Sequence, residues 1–207
     1  MSKLNRFNWI ARSYDRLVNI VFGQTLNNAQ MHFMNEIGPT DSVLIIGGGT
    51  GKFLRDLLKM KSEIRIVYVE ASSEMINLAK QQIGNASNMS FIHGTEENIP
   101  AQLFDVVITN FFLDLFTDDK LGKVIKTVSA HLRVGGKWFV SDFEKTGKLS
   151  HRILLSLMYL FFHVTGSIDA KRLTDWRPLF ESENLILEKQ QSVRDGFVSA
   201  SVFVKMK

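Results

Sequence analysis

Val43-Leu44-Ile45-Ile46-Gly47-Gly48-Gly49-Thr50-Gly51 runs from four apolar residues straight into a glycine-rich turn. Phe53, Leu54, Leu57 and Leu58 then recur at helical spacing. The stretch therefore predicts a buried strand, a tight turn and the opening of a helix, the first half of a βαβ unit. Side chains in such a turn would keep a ligand off the backbone, and glycine removes them. A second apolar strand, Ile64-Arg65-Ile66-Val67-Tyr68-Val69, ends at Glu70, 19 residues past Gly51. A carboxylate there can accept both hydroxyl protons of a ribose. Turn and carboxylate together read as a nucleoside-cofactor site; a βα turn without a ligand is the plainer alternative.

The dinucleotide fingerprint G-x-G-x-x-G needs its third glycine where Lys52 stands. Gly47, Gly49 and Gly51 give G-x-G-x-G instead. This spacing resembles motif I of the class I S-adenosylmethionine (SAM) dependent methyltransferases, whose glycine loop passes under the methionine part of the cofactor. The resemblance implies SAM as cofactor, with Gly47, Gly49, Thr50 and Gly51 against it and Glu70 on its ribose. One departure is prominent. Relatives carry an acidic residue two places before the first glycine, and here that place is Ile45. It leaves three readings open: weaker binding, a compensating group elsewhere, or a protein that binds SAM without using it.

Residues 4–37 read as two helices, with Leu26, Ala29, Phe33 and Ile37 on one face and Gly38-Pro39 ending the run. Within them, Ala11-Arg12-Ser13-Tyr14-Asp15 resembles the N-terminal segment of the ubiquinone and menaquinone biosynthesis methyltransferases. That likeness makes residues 1–38 a lid with Tyr14 near the methionine end; simple aromatic packing on the sheet is the alternative. Ser72 can cap a helix that has Glu74 in its first turn. Met75 in the same turn lies against adenine in relatives, or is a core residue. Met89–His93 is a short third strand, and the place of the relatives' adenine-binding aspartate falls at Thr95, beside Glu96.

Phe104–Thr109 is apolar enough to be central in a parallel sheet. Asn110 at its carboxyl end is a candidate cofactor or substrate contact, and Asp114 lies one turn beyond. A helix opened by Asp118 and Asp119 turns Leu121, Val124, Ile125, Val128 and Leu132 inward. Leu132-Arg133-Val134-Gly135-Gly136 resembles the L-[KR]-P-G-G turn of the same superfamily, with valine for its proline, and strand 137–143 follows. After a last helix begun by Thr174-Asp175-Trp176-Arg177-Pro178, two strands at 185–191 and 197–205 are joined by so short a link that they must be antiparallel. The expected fold is α/β: a Rossmann-like, seven-stranded, mostly parallel sheet with helices on both faces and a C-terminal antiparallel hairpin. One domain is expected over 1–207, with a lid (1–38), a SAM-binding core (39–146), a helical insertion (147–172) and the closing helix and hairpin (173–207).

The absence of cysteine excludes disulfides, thiolate metal sites and a cysteine nucleophile. A net charge of +4, with lysines and arginines scattered, argues against nucleic acid as partner. No apolar leader follows the polar Met1–Asn8, so the cytoplasm is the expected location. Residues 153–164 are apolar nearly all round but too short for a bilayer core of ~30 Å. They are buried, packed on a second copy, in peripheral contact with a membrane, or the wall of an apolar pocket. In the quinone and phospholipid methyltransferases the chain resembles, an insertion here covers the substrate, where His151 and His163 could assist. Methyl transfer to a small acceptor, apolar or lipid- or quinone-like, is the expected function. Asp114 is the candidate base wherever that acceptor must lose a proton. A SAM-binding protein without transfer, prompted by Ile45, is one alternative. A nicotinamide-dependent oxidoreductase is the other, disfavoured by Lys52.

Overall fold

The computed structural model describes residues 23–84, 87–149, 151, 155 and 173–207. Its strands are β1 (Ser42–Ile46), β2 (Arg65–Glu70), β3 (Met89–His93), β4 (Phe104–Asn110), β5 (Leu132–Phe143), β6 (Leu185–Val193) and β7 (Val198–Lys205). They form one seven-stranded sheet in the order β3-β2-β1-β4-β5-β7-β6. The first five run parallel, and β7 lies antiparallel to both β5 and β6. The described α-helices are α1 (Thr25–Met31), α2 (Lys52–Met60), α3 (Ser73–Ile83), α4 (Asp118–Ala130) and α5 (Arg177–Ser182).

The expected α/β sheet with its reversed C-terminal pair is thus the one observed. Alternate residues of β1 explain its unbroken apolar run. Leu44 and Ile46 face a cluster built from Leu121, Val124, Ile125, Trp138 and Phe180, on the side of α4 and α5. Val43 and Ile45 face Phe53, Leu54, Leu57 and Tyr68, on the side of α2 and α3. A strand covered on both faces has no polar side to show. Each such side chain contributes ~1.5–3 kcal/mol on leaving water.

Two elements depart from expectation. The helical face over 26–37 is kept, with Leu26, Ala29 and Ile37 buried, but α1 stops at Met31 and a 3-10 turn (Met34–Glu36) continues it. Phe33, at φ −105° and ψ 8°, breaks the helix, and Met34 and Ile37 both reach the core from the tighter turn. The expected turn at 132–136 is instead the first part of β5. Phe104 pairs with Leu132 and Val106 with Lys137, so residues 133–136 bulge out of the ladder, leaving Val134 exposed. A proline at 134 would lack the backbone donor that valine keeps. Residues 1–22 of the expected lid, with Tyr14, lie outside the described residues, as do His163 and all of the apolar segment 153–164 except Leu155.

Candidate active site

β1 has β2 on one side and β4 on the other, which makes the crevice above it the topological switch point of the sheet. Ile46 pairs with Val69 and with Thr109, so Gly47, Glu70 and Asn110 follow abreast at the carboxyl edge. The glycine turn is tied to β2. Gly47 N donates to Val69 O (2.9 Å), Gly49 N to Glu70 Oε2 (3.0 Å), and the Tyr68 hydroxyl to Gly49 O (2.8 Å). Glu70 Oε1 accepts from Ser72 N (2.9 Å), while Ser72 Oγ caps α3 by accepting from Met75 N (3.3 Å).

The four glycines have different physical duties. A methyl group at Gly47 would strike the Phe112 ring, and one at Gly48 would strike the Tyr68 ring. At Gly51 a Cβ would lie 2.6 Å from Ala79 Cα, so this residue lets the start of α2 close on α3. Gly49 is the exception. Its φ is +65°, and no atom lies within 4 Å of where its Cβ would point. Here the bare backbone faces open space, as a cofactor cradle requires.

Glu70 suits the same ligand. Each of its oxygens holds one backbone donor, and an ionised carboxylate offers about four lone-pair sites, so each keeps room for a ribose hydroxyl. Met75 is half-buried in the first turn of α3. Thr95 is exposed and caps the 3-10 turn Glu96–Asn98, its Oγ1 accepting from Glu97 N (3.4 Å) while Asn98 Oδ1 accepts from Thr95 N (3.0 Å). Glu96 beside it is half-buried. Gly94 N donates to Glu70 O (3.0 Å), which joins this loop to the end of β2. Asn110 is half-buried, and Phe111 after it has φ 51°, a conformation that costs a bulky residue ~1–3 kcal/mol. The structure thus places Gly47, Gly49, Thr50, Gly51, Glu70, Met75, Thr95, Glu96 and Asn110 along one edge of the sheet.

Asp114 sits in a 3-10 turn (Leu113–Leu115) past that edge and is buried. Asp142, near the end of β5, is buried beside it, accepting from Leu113 N (3.2 Å) and Phe143 N (2.8 Å). Asp114 Oδ1 is buried with no hydrogen-bond partner among the described residues. Burial pushes Asp114 up to about 7. Asp142 is raised well above the carboxylate range by burial and by the charge of Asp114. His151 stacks on Phe197 with centroids 4.4 Å apart and shares a 2.7 Å hydrogen bond with Thr146 Oγ1. Phe143 lies between Phe111 (4.9 Å) and Phe197 (5.3 Å) in a buried aromatic cluster. Among the described residues no group of three His, Asp or Glu could hold a metal ion.

Sequence reasoning missed Tyr68 and Asp142. The signal for Tyr68 was its place two residues before Glu70, which puts both on one face of β2. For Asp142 it was an acid near the end of β5, shortly after the apolar run Trp138-Phe139-Val140.

Comparison with known proteins agrees with this geometry. The profile of a methyltransferase domain family matches residues 43–136. A malonyl-[acyl-carrier protein] O-methyltransferase of Priestia megaterium is 30% identical over 142 residues, 67% of this chain and 50% of that one. Phosphoethanolamine N-methyltransferase 1 of Zea mays is 28% identical over 110 residues, 51% of this chain and 22% of that one. The chain therefore spans half the length of the first relative and about a fifth of the second. Among solved structures, the 1,6-didemethyltoxoflavin-N1-methyltransferase of Burkholderia thailandensis, with S-adenosylhomocysteine bound, superimposes with a TM-score of 0.66 at 16% identity, over 98% of this chain and 90% of that one. The glycine turn and strands β2 to β4 lie within the residues the profile matches, and residues 43–136 of this chain are a methyltransferase domain of the class I, SAM-dependent family.

Proposed function

We propose that the protein transfers a methyl group from SAM to a small acceptor. The observation that carries this is Glu70, turned onto the glycine turn and holding Gly49 N, with the open face of Gly49 beside it. When bound, the cofactor supplies an electrophilic methyl on a sulfonium sulfur. Glu70 orients the ribose, Met75 and the Thr95–Glu96 loop border the adenine, and the turn at Gly49 lets the methionine end lie on bare backbone. Asn110 and Phe111 then bound the side from which an acceptor approaches. Holding nucleophile and methyl in line is the main contribution these residues make to rate. Where the acceptor must lose a proton, Asp114 takes it, since a base near neutrality is best matched to that task.

An apolar acceptor, quinone- or lipid-like, is the narrower reading, and it rests on the apolar run of residues 153–164. The relatives named above act on oxygen in one case and nitrogen in another, so the family does not choose the acceptor atom. A second reading, cofactor binding without transfer, rests on Ile45, which is buried among apolar residues with no carboxylate in its place. Calorimetry with SAM, S-adenosylhomocysteine (SAH) and NADH tests the cofactor, with binding expected for the first two. Single-turnover transfer of labelled methyl to a metabolite extract tests the reaction. Cofactor binding with no labelled product from any fraction would favour the second reading.

A further inference from the structure

Residue 49 is gripped twice by one face of one strand. Tyr68 and Glu70 are two residues apart on β2 and so project to the same side of the sheet. Glu70 Oε2 accepts from Gly49 N at 3.0 Å, and the Tyr68 hydroxyl donates to Gly49 O at 2.8 Å. Both backbone groups of a single residue are therefore fixed by side chains, and that residue is the one whose face is open. Gly48 completes the arrangement, because any side chain there would occupy the space of the Tyr68 ring. Across the ladder Tyr68 pairs with Ile45, the position that in the methyltransferases this chain resembles carries a carboxylate.

We infer that Tyr68 is a positioning residue for the cofactor, holding the carbonyl of Gly49 so that the turn is set for the ligand before it arrives, and that it does so in place of an acidic side chain at Ile45. This rests on the SAM reading above. The Tyr68 ring is wholly buried, tilted against Phe91 at 5.2 Å, so its hydroxyl has one direction in which to point. Burial first, and then the charge of Glu70, raise its phenol far above neutrality, so the O–H stays a donor throughout the physiological range. Pinning a loop in its bound shape improves affinity by removing the ordering cost from the binding step. A phenol also satisfies an apolar neighbourhood that would disfavour a buried carboxylate at Ile45.

The test is Tyr68→Phe, which keeps the ring and its packing and removes only the donor. With SAH as the probe in calorimetry, well below the melting temperature of both proteins, the dissociation constant is expected to rise roughly three- to tenfold, the range of one net hydrogen bond. Replacement of Tyr68 by 4-aminophenylalanine restores an N–H donor at the same place and is expected to recover most of the affinity. A role confined to the core would lower the melting temperature of Tyr68→Phe and leave its affinity unmoved. Affinity of Tyr68→Phe within twofold of wild type overturns the inference, as does an amino variant no better than phenylalanine. Wild-type protein that binds no SAH overturns the cofactor reading itself, and this inference with it.

Discussion

Glu70 has two employments that reinforce each other. Its oxygens hold the backbone N–H groups of Gly49 and Ser72, which fixes the carboxylate's orientation and leaves accepting capacity on each oxygen. A glutamine cannot do both, since its amide nitrogen would face one of two backbone donors. On the proposed SAM reading, Glu70→Ala removes two charge-assisted bonds to ribose as well as the anchor of the turn. Its SAH affinity is expected to fall roughly a hundredfold by calorimetry, with Glu70→Gln between it and wild type. Such a loss would separate Glu70 from an ordinary surface acid, whose removal changes little.

At the scale of elements, the turn works because α2 and α3 meet at its far end. Gly51 stands before α2 at φ +82°, and its Cα hydrogens face Ala79 of α3, which is wholly buried. Gly51→Ala would combine a left-handed backbone with a methyl 2.6 Å from backbone, which cannot move aside as a side-chain tip could. A loss of about 2–4 kcal/mol is expected, read as a fall in melting temperature of about 5–10 °C. This part of the fold was legible in the sequence. β1 announces itself because a strand covered on both faces must be apolar throughout, and the turn because glycine is required where a ligand and two helices crowd one bend. The length of α1 and the course of residues 132–136 were not legible, since each depends on which neighbour claims the backbone. Arg133, for instance, reaches Asp105 across the bulge at 2.5 Å, a contact 28 positions away. Tyr68 was likewise hidden, because an aromatic in a strand reads as core until its hydroxyl is seen to have a partner.

For the whole molecule, the reversed pair β6–β7 lets the sheet continue past β5, and it is against this side that Asp142 is enclosed, its strand pairing Asp142 with Ser199 of β7. Two buried acids then lie together, Asp114 and Asp142, a costly arrangement in a protein interior. Asp114 is pushed up to about 7 by burial, against about 3.9 in an unfolded chain. Between those values the folded protein holds more protons than the unfolded one, so stability falls as pH rises from about 4 through about 7. Asp56, lowered first of all by its hydrogen bond from Arg55, titrates below that window and does not mask it. Asp114→Asn should therefore be more stable than wild type at pH 8, by about 1–3 kcal/mol in urea midpoints, with the difference shrinking toward pH 4. If Asp114 is the base, the same variant loses the rise in methyl transfer that wild type shows as pH climbs through about 7. Stability and activity would then move in opposite directions at one residue, the mark of a group held at a structural cost for its chemistry. A variant no more stable than wild type at pH 8, with an unchanged rate profile, would mean that Asp114 is neither strained nor used.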